Sequence, residues 1–342
     1  TLYLDLTPPG QPSISATTPT ADNTPTFTWS SGGGGADAWK YRMDSGSWSS
    51  ETSSNSYTPT SALSDGNHTF RVKERDSLGN WSAENYKTIS VDTTAPTGAS
   101  ISINSGASYA TSTSVTLSLS ASGASYMRFK NESSGSWSGY YSYSSSKAWT
   151  LSNSQGTRYV YVQFKDSLGN ATSGSNYDSI VLDTVAPSEP NLTAPANGES
   201  INDTTPTFSW GAVTGASNYR IQVADNATFT SPNEDATIGT PSFVAGVLTE
   251  GTYHWHVKAI DAAGNESDFS AVWTFDVDIT APTGLSISID GGAAYANSTN
   301  VTLTPGATGA SHMRFRNETG GTWSVYEIYS TSKSWALLNS QG

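Results

Sequence analysis

The sequence predicts an all-β protein made of several β-sandwich modules joined in a row, and two observations lead to this fold class. A hinge made of an aliphatic residue, an Asp and a short Thr/Pro segment recurs at Leu4–Pro8, Val91–Pro96, Leu182–Pro187 and Val277–Pro282. The hinge Asp residues, Asp5, Asp92, Asp183 and Asp278, are 87, 91 and 95 positions apart. Short alternating strands, broken by turns, fill the intervals. A boundary at near-constant spacing indicates repeated modules of about 90 residues.

The hinges give the expected domain boundaries. Each full interval is long enough to bury its own core without a metal or a disulfide. We therefore expect a beaded rod of sandwiches whose first residues finish a preceding module and whose last module is incomplete. The predicted segments are residues 1–5 (last strand of a preceding module), 6–92 (module 1), 93–183 (module 2), 184–278 (module 3) and 279–342 (module 4, incomplete).

Strand signals dominate every module. Polar and aromatic residues alternate around Phe27–Trp29 and Phe208–Trp210, which is typical of a half-buried strand. The longest alternating segment places four side chains on one face, namely Tyr253, Trp255, Val257 and Ala259. Turn residues recur at intervals of roughly ten residues, the spacing of a β-sandwich. No segment has an apolar period of 3.6 residues long enough to predict a helix.

Two module types alternate along the chain. In the second and fourth modules, Gly123–Glu132 aligns with Gly309–Glu318, and Ser146–Trp149 aligns with Ser332–Trp335. Both pairs are offset by 186 residues, so the larger repeat is a pair of modules.

The fourth module stops at Gly342, which corresponds to Gly156 of the second. We therefore expect it to lack about 27 residues, which form two strands in the second module. The chain is then a segment of a longer protein. The alternative is strand exchange between subunits, with Leu2–Leu4 completing the sheet of a neighbour.

A further repeated element lies near the end of the first three modules. It reads Asp-x-x-Gly-Asn at Asp76–Asn80, Asp166–Asn170 and Asp261–Asn265, each time between two alternating strands. An Asp that caps a turn, followed by a Gly that permits a positive φ, is typical of a β-hairpin.

These segments resemble bacterial and archaeal surface immunoglobulin-like repeats, in which this hairpin lies near the end of the module. The first and third modules are also similar to fibronectin type III domains. Leu248–Tyr253 fits a tyrosine corner, in which the Tyr hydroxyl binds the preceding crossover. The first module departs from this pattern, because His68 stands where the Tyr is expected. The resemblance implies tandem immunoglobulin-like/fibronectin type III-like sandwiches and no particular ligand, since this fold hosts many functions.

Composition and missing motifs exclude several function classes. The 342 residues contain 16 Lys and Arg against 29 Asp and Glu, a net charge of −13, so no basic stripe exists to bind nucleic acid. No apolar run is long enough to span a membrane in this segment. The chain has no Cys, and it lacks a Gly-x-Ser-x-Gly elbow, a His-Glu-x-x-His motif and a phosphate-binding loop. We therefore expect no enzymatic activity.

Calcium at the module junctions is the first site hypothesis, and no other cofactor is predicted. The hinge carboxylates would meet the hairpin carboxylates if the loops fold to the same end of a module, and hard oxygen ligands suit calcium. The alternative is that these side chains only cap turns, because no Asp-x-Asp-x-Asp cluster supplies a full ligand shell. The candidates are Asp92, Asp183 and Asp278 in the hinges, and Asp76, Asp166 and Asp261 in the hairpins.

Glycans enter two further hypotheses. Asn-x-Ser/Thr acceptors for N-glycosylation include Asn80, Asn170 and Asn265 at the hairpin tips, where a glycan would be solvent-exposed, and Asn131 and Asn317. Aromatic platforms for sugars are the second hypothesis, although most sandwich aromatics pack in cores. The candidate platform residues are Trp137, Tyr140, Tyr141, Tyr143 and Trp149.

Two sets of basic residues complete the list of candidates. Arg42, Arg128, Arg220 and Arg314 occupy equivalent strand positions, and we expect cross-strand ion pairs or hydrogen bonds there. His254 and His256 lie two residues apart on one strand face, a spacing that can hold zinc. Because no third ligand is evident, an exposed strand face is the preferred interpretation.

The sequence therefore predicts a non-enzymatic extracellular structural protein, a tandem immunoglobulin-like stalk or filament component of a microbial cell surface, such as an adhesin spacer. Expected partners are other copies of itself or other surface proteins. One alternative is a set of carbohydrate-binding accessory modules of a secreted enzyme, which would have glycans as partners. Another is a self-assembling filament or sheath subunit. Much of this ranking rests on analogy of fold.

Overall fold

The computed structural model describes residues 4–338, which form two compact units divided between Val185 and Ala186. Within these residues, regular structure is β-strand apart from two short 3₁₀ turns, Asn104–Gly106 and Asp290–Gly292. The predicted all-β class of tandem β-sandwiches is thereby confirmed. The strand predicted for residues 1–5 and the exchange strand Leu2–Leu4 fall mostly outside the described residues.

The first unit begins with a sandwich of two three-stranded antiparallel sheets, with the orders β1-β2-β4 and β3-β5-β6. Its strands are β1 (Ser13–Ser15), β2 (Phe27–Ser30), β3 (Ala36–Met43), β4 (Ser56–Tyr57), β5 (Gly66–Asp76) and β6 (Asn85–Val91). Phe27 and Phe70 are fully buried between the sheets and stack with ring centroids 4.5 Å apart. The aromatic residues predicted to face inward therefore form the core of this module.

The second sandwich of this unit pairs a three-stranded sheet, β12-β9-β7, with a five-stranded sheet, β11-β10-β13-β14-β8. Its strands are β7 (Thr97–Ile103), β8 (Tyr109–Ala110), β9 (Ser114–Ser122), β10 (Tyr126–Asn131), β11 (Tyr141–Ser142), β12 (Ser146–Thr150), β13 (Gly156–Lys165) and β14 (Asn176–Leu182). All pairings are antiparallel except that of β8 with β14. Ile103, Phe129 and Phe164 are fully buried at its centre.

The second unit begins with a sandwich of the sheets β15-β17-β20 and β16-β22-β21-β18-β19. Its strands are β15 (Leu192–Ala194), β16 (Glu199–Ile201), β17 (Thr207–Trp210), β18 (Ala216–Ala224), β19 (Glu234–Ile238), β20 (Ser242–Val244), β21 (Gly251–Asp261) and β22 (Trp273–Val277). The four residues predicted to share one face of β21 are all buried in the core, which confirms the alternation.

The fourth module has a three-stranded sheet, β23-β24-β27, and a two-stranded one, β25-β26. Its strands are β23 (Thr283–Ile289), β24 (Asn300–Thr308), β25 (His312–Met313), β26 (Glu327–Ile328) and β27 (Lys333–Ala336). Among residues 279–338, none forms a strand in the places that β13 and β14 take in the second module. As a result Ile287 is 57 % exposed, although its counterpart Ile101 packs against the core.

The tyrosine corner exists in two chemical forms. In the third module the Tyr253 hydroxyl donates to the carbonyl of Thr249 at 3.1 Å, as predicted. In the first module the His68 ring takes its place, with Nε2 2.8 Å from the carbonyl of Ser64. Both contacts span four residues, so His68 preserves the corner with a nitrogen donor. The replacement of Tyr by His68 therefore changes the donor from a hydroxyl to a ring nitrogen, and the hydrogen bond to the preceding crossover is retained.

Short segments beside the main strands form hydrogen bonds with strand N–H and C=O groups that no neighbouring strand pairs. We call these contacts Ser/Thr clips. In a clip, the N–H of a Ser or Thr donates to a strand carbonyl, and its Oγ accepts the N–H of the same strand residue. The pairs are Ser49 with Tyr41, Ser82 with Glu74, Ser138 with Phe129, Thr172 with Phe164, Ser267 with Ala259, Ser270 with Val257, and Ser324 with Phe315. Clips thus cover strand positions that a neighbouring strand would otherwise pair.

The clips generate the first prediction. In Ser138→Ala the N–H of buried Phe129 loses its Oγ acceptor, which lies at 3.0 Å. We expect the free energy of unfolding to fall by about 1–3 kcal/mol, the cost of an unsatisfied buried donor. Denaturant unfolding measures the change, and Ser136→Ala, at an exposed neighbouring Ser, is the matched control. Equal stability of the two variants would contradict the role of the clip.

Candidate functional site

The hairpin Asp holds its loop through its own side chain. In the second module, Asp166 Oδ1 accepts the backbone N–H groups of Leu168, Gly169 and Asn170 at 2.7–2.9 Å. Gly169 has a φ of 105°, the left-handed conformation that the sequence predicted. Burial alone would raise the pKa of Asp166, but the hydrogen bonds from Asn170 and the backbone outweigh it and lower the pKa below its usual value.

The Asn that ends the hairpin joins it to the hinge that precedes the module. Asn170 Nδ2 donates to Asp166 Oδ2 at 2.8 Å and to the backbone carbonyl of Asp92 at 2.7 Å. The first module repeats the arrangement, because Asn80 Nδ2 donates to Asp76 Oδ2 at 2.9 Å and to the carbonyl of Asp5 at 3.2 Å. We call this contact the junction clamp. It spans more than 70 residues of sequence and fixes the entry of the chain into its module.

The hinge is also held from the module that it leaves. Asp65 lies directly before β5, and its Oδ1 accepts both the N–H and the hydroxyl of Thr93 at 2.8 Å. Its Oδ2 accepts the hydroxyl of Thr94. The residues before β13 and β21 also bind a hinge Thr. Gln155 accepts the N–H of Thr184 and donates to its hydroxyl, and Glu250 accepts the hydroxyl of Thr280. The Thr residues of the hinge therefore serve as hydrogen-bond donors to the preceding sandwich.

The six candidate calcium ligands are engaged by N–H donors. Each hinge carboxylate, on Asp92, Asp183 and Asp278, accepts the backbone N–H two residues later. In the first unit the hairpins do meet the hinges. The amide nitrogen of the hairpin Asn, however, lies between the carboxylate oxygen of the hairpin Asp and the backbone carbonyl oxygen of the hinge Asp. Within residues 4–338, no group of three or more Asp, Glu or His side chains is arranged to hold a metal. Calcium binding at the junctions stays a prediction.

The structure corrects the expected exposure of the glycosylation candidates in the hairpins. Asn80 and Asn170 are only partly exposed, and each donates both amide hydrogens to the junction clamp. Asn265 is also partly exposed and donates to Asp261 Oδ2 at 2.9 Å. A glycan on Nδ2 replaces one of the amide hydrogens. Occupancy at Asn80 or Asn170 and an intact clamp therefore exclude each other.

The two remaining acceptor candidates are cross-strand connectors. Asn131 accepts the indole N–H of Trp149 at 2.7 Å and donates to the carbonyl of Thr150 at 2.9 Å. In the fourth module, Asn317 makes the same two bonds, to Trp335 and to the carbonyl of Ala336, at 2.8 and 3.0 Å. Each Asn side chain therefore links its own segment to the strand of the opposite sheet that carries the Trp, β12 in the second module and β27 in the fourth. The acceptor motif did not indicate this role.

The candidate sugar platform divides into inward and outward residues. Tyr143 and Trp149 are partly buried and pack against the core, so they are structural. Tyr140 and Tyr141 are exposed, and Trp137 is half-buried beside them. Only these three residues of the predicted set lie where a ligand can reach them.

The equivalent Arg residues form the expected cross-strand contacts in three modules. In the fourth module Arg314 stacks on a Trp ring and makes no ion pair within the described residues. The partners are Glu84 for Arg42 at 3.2 Å, Gln163 for Arg128 at 2.7 Å, Asp235 for Arg220 at 2.7 Å, and the Trp323 ring for Arg314 at 4.8 Å to the centroid.

The interpretation of His256 as part of an exposed face is wrong. The ring is only 9 % exposed and is stacked between Phe229 and Phe269, with centroids 3.7 and 3.8 Å away. Its Nε2 donates to Gln222 Oε1 at 2.9 Å. Burial, with the positive charges of Arg220 and Lys258, lowers the pKa of His256 to about 4. The two Phe residues come from loops after β18 and β21, so periodicity within a strand gives no sign of them.

Comparisons with known proteins match this architecture. Residues 13–93 and 193–279 match the family model of the bacterial Ig-like domain, which confirms the predicted resemblance for the first and third modules. The chain is similar to the FN1–FN3 domains of chicken CNTN1, with 15 % identity over 78 % of this chain and 98 % of that one, at a TM-score of 0.40. It is also similar to the fibronectin(III)-like modules of Clostridium thermocellum CbhA, with 15 % identity over 52 % and 93 %, at a TM-score of 0.37. No curated protein matches the sequence.

The junction clamp generates the second prediction. Asn170→Ala removes two side-chain hydrogen bonds, to the Asp166 carboxylate and to the carbonyl of Asp92. We expect the free energy of unfolding of the first unit to fall by about 1–3 kcal/mol, because both acceptors lose a donor. Calorimetric unfolding of the full chain measures it, with Asn153→Ala, at an exposed Asn, as the control. A loss no larger than that of the control would refute the clamp.

The buried His256 generates a prediction of pH dependence for the second unit. The pKa of about 4 in the folded chain lies below the unfolded value of about 6.5. Stability is therefore fully present above pH 6.5 and is lost as the pH falls toward 4, by an amount on the order of 3 kcal/mol. Unfolding followed between pH 7.5 and 4.5 measures the loss. His256→Phe should flatten the curve, and an unchanged slope would contradict the assignment.

His68 in the first unit provides a contrast of opposite sign. Its two ring nitrogens face acceptors only, Asp44 Oδ2 and the carbonyl of Ser64, both at 2.8 Å, so both must carry hydrogens. The hydrogen bond with Asp44 raises the pKa of His68. Its contribution is present below pH 6.5 and is lost as the pH rises through the raised value. His68→Tyr, which restores the usual corner, should remove this alkaline loss without changing the acid loss of the second unit.

Proposed function

We propose that this chain is a non-enzymatic structural segment of an extracellular protein, a tandem immunoglobulin-like stalk that spaces other parts of a microbial surface protein. The match to bacterial Ig-like domains supports this class, because such domains are typically surface modules without catalysis. No helix within the described residues is both long and apolar enough to cross a membrane. Location outside the cell and the role as a spacer are proposals that rest on this class.

One observation carries the proposal, namely that the hinge between the first two modules is bound from both sides. Asp65 of the module before it holds Thr93 and Thr94, and Asn170 of the module after it holds the carbonyl of Asp92. A spacer must resist bending at its joints, and a short Pro-containing hinge with hydrogen bonds to both neighbours limits that bending.

The proposal is tested by the stiffness of that joint. Because the chain has no Cys, the exposed residues Ser53 and Ser134 can be replaced by Cys and spin-labelled as one pair across the joint. We expect a distance distribution about as narrow as that of a pair within the first module, Ser53 and Ser61. Asp65→Ala with Asn170→Ala should broaden the first distribution and leave the second unchanged.

A broad distance distribution across the joint in the native chain would overturn the proposed stalk, since it would indicate a freely jointed string.

The extracellular location has its own test, because a surface stalk is accessible to protease on intact cells that produce the full protein. Cleavage only after lysis would contradict that part of the proposal.

A further inference from the structure

The outward side of β10 and β13 in the second module carries alternating cations and aromatic rings. We call this surface the cation–aromatic face. Each cation lies between two rings: Lys165 is 5.2 and 4.0 Å from the ring centroids of Tyr126 and Tyr140, Arg128 is 4.8 and 5.0 Å from Tyr140 and Trp137, and Lys130 is 5.3 and 5.1 Å from Trp137 and Tyr161. Cation–π attraction accounts for the alternation, and it holds the side chains upright on the sheet.

The cations of this face have no carboxylate partner among residues 4–338. Arg128 donates to the neutral side chain of Gln163, and Lys130 donates to a backbone carbonyl. The first module carries a comparable set of cations over rings, but there all except Lys73 are paired with a carboxylate. Those pairs are Lys40 with Glu51, Arg42 and Arg71 with Glu84, and Arg75 with Asp37 and Glu51.

The local charge balance sharpens this contrast. Residues 93–183 contain 5 Lys and Arg against 4 Asp and Glu, whereas residues 184–278 contain 2 against 12. A chain with a net charge of −13 thus keeps one module slightly positive, and three cations of that module that have no carboxylate partner lie side by side on one sheet. Stability does not require this, since the first module shows that the same strand positions accommodate ion pairs.

The part of this face formed by β10 and the loop after it recurs in the fourth module at the same offset of 186 residues. Arg314 is 4.8 and 4.6 Å from the ring centroids of Trp323 and Tyr326, and Arg316 is 4.5 Å from that of Trp323. Neither Arg has a carboxylate partner within the described residues, and both rings are exposed. Arg residues over exposed rings without a carboxylate partner are therefore shared by both modules of this type.

From this geometry we infer that the cation–aromatic face binds an anionic polysaccharide, through its carboxylates and its sugar rings. Unpaired Arg and Lys attract carboxylates, and exposed Tyr rings offer rigid apolar surfaces to the C–H face of a sugar. An acidic polypeptide fits less well, because the clip between Ser138 and Phe129 closes the adjacent edge to strand addition. The inference goes beyond the stalk, which requires no ligand.

Affinity electrophoresis of the full chain in gels that contain polygalacturonate tests the inference. We expect retardation at low ionic strength that disappears at about 0.5 M NaCl, since exposed charges are screened at that concentration. Dextran, a neutral polysaccharide, and polyglutamate, an acidic polypeptide, are run as parallel probes. Any of three results with the unmodified protein would overturn the inference. They are equal retardation by dextran, stronger retardation by polyglutamate, and no retardation by polygalacturonate.

Variants then locate the binding surface. Arg128→Gln, Lys130→Gln and Lys165→Gln together with Arg314→Gln and Arg316→Gln should weaken polygalacturonate binding at least about tenfold, as expected for the loss of several exposed charge contacts. The matched control replaces five cations of the first module in the same way, four of which have a carboxylate partner. They are Lys40, Arg42, Arg71, Lys73 and Arg75. Both variants lose the same charge, so an equal loss of binding would show a net-charge effect and refute the face.

Discussion

The bond from the hairpin Asn to the preceding hinge is the contact on which the organisation of the first unit depends. A sandwich buries its core by packing two sheets face to face. That packing does not fix the position of the hinge segment through which the chain enters the module. Asn170 connects the two, because one amide group binds the carboxylate of its own hairpin and the carbonyl of Asp92. The carboxylate is in turn held by three backbone N–H groups, so the amide is presented from a rigid loop. Joint and module are therefore ordered together.

The same hairpin explains why its Asn stands in a glycosylation motif. In Asn80-Trp81-Ser82 the Asn forms the junction clamp and Ser82 forms a clip with Glu74. Asn170 and Thr172 divide the two tasks in the same way in the second module. The spacing of two residues between Asn and hydroxyl follows from the geometry of a loop that turns back along its strand. In these hairpins the acceptor pattern thus arises from backbone hydrogen bonding, and the Ser or Thr covers a strand edge that would otherwise lie open.

Much of the fold was predictable because alternation is a local signal. The face of β21 with Trp255 and the inward Phe27 and Phe208 follow from period-two patterning alone. The positive φ of Gly169 follows from turn chemistry. Contacts between distant segments were not predictable in this way. The Phe rings around His256 come from two loops, and the acceptor of Asn170 lies 78 residues away, so no window of sequence contains both partners.

The equivalent Arg residues have different partners in the two module types. In one type a carboxylate compensates the charge, and in the other the charge remains free to attract a ligand. An Arg with a carboxylate partner, such as Arg220 with Asp235, has its charge compensated within its own module, and the pKa of Asp235 falls to about 2 as a result. Arg128 has only a neutral amide and two ring faces, which hold the guanidinium in position and leave its charge uncompensated. Alternation of the modules therefore alternates closed and open cationic surfaces.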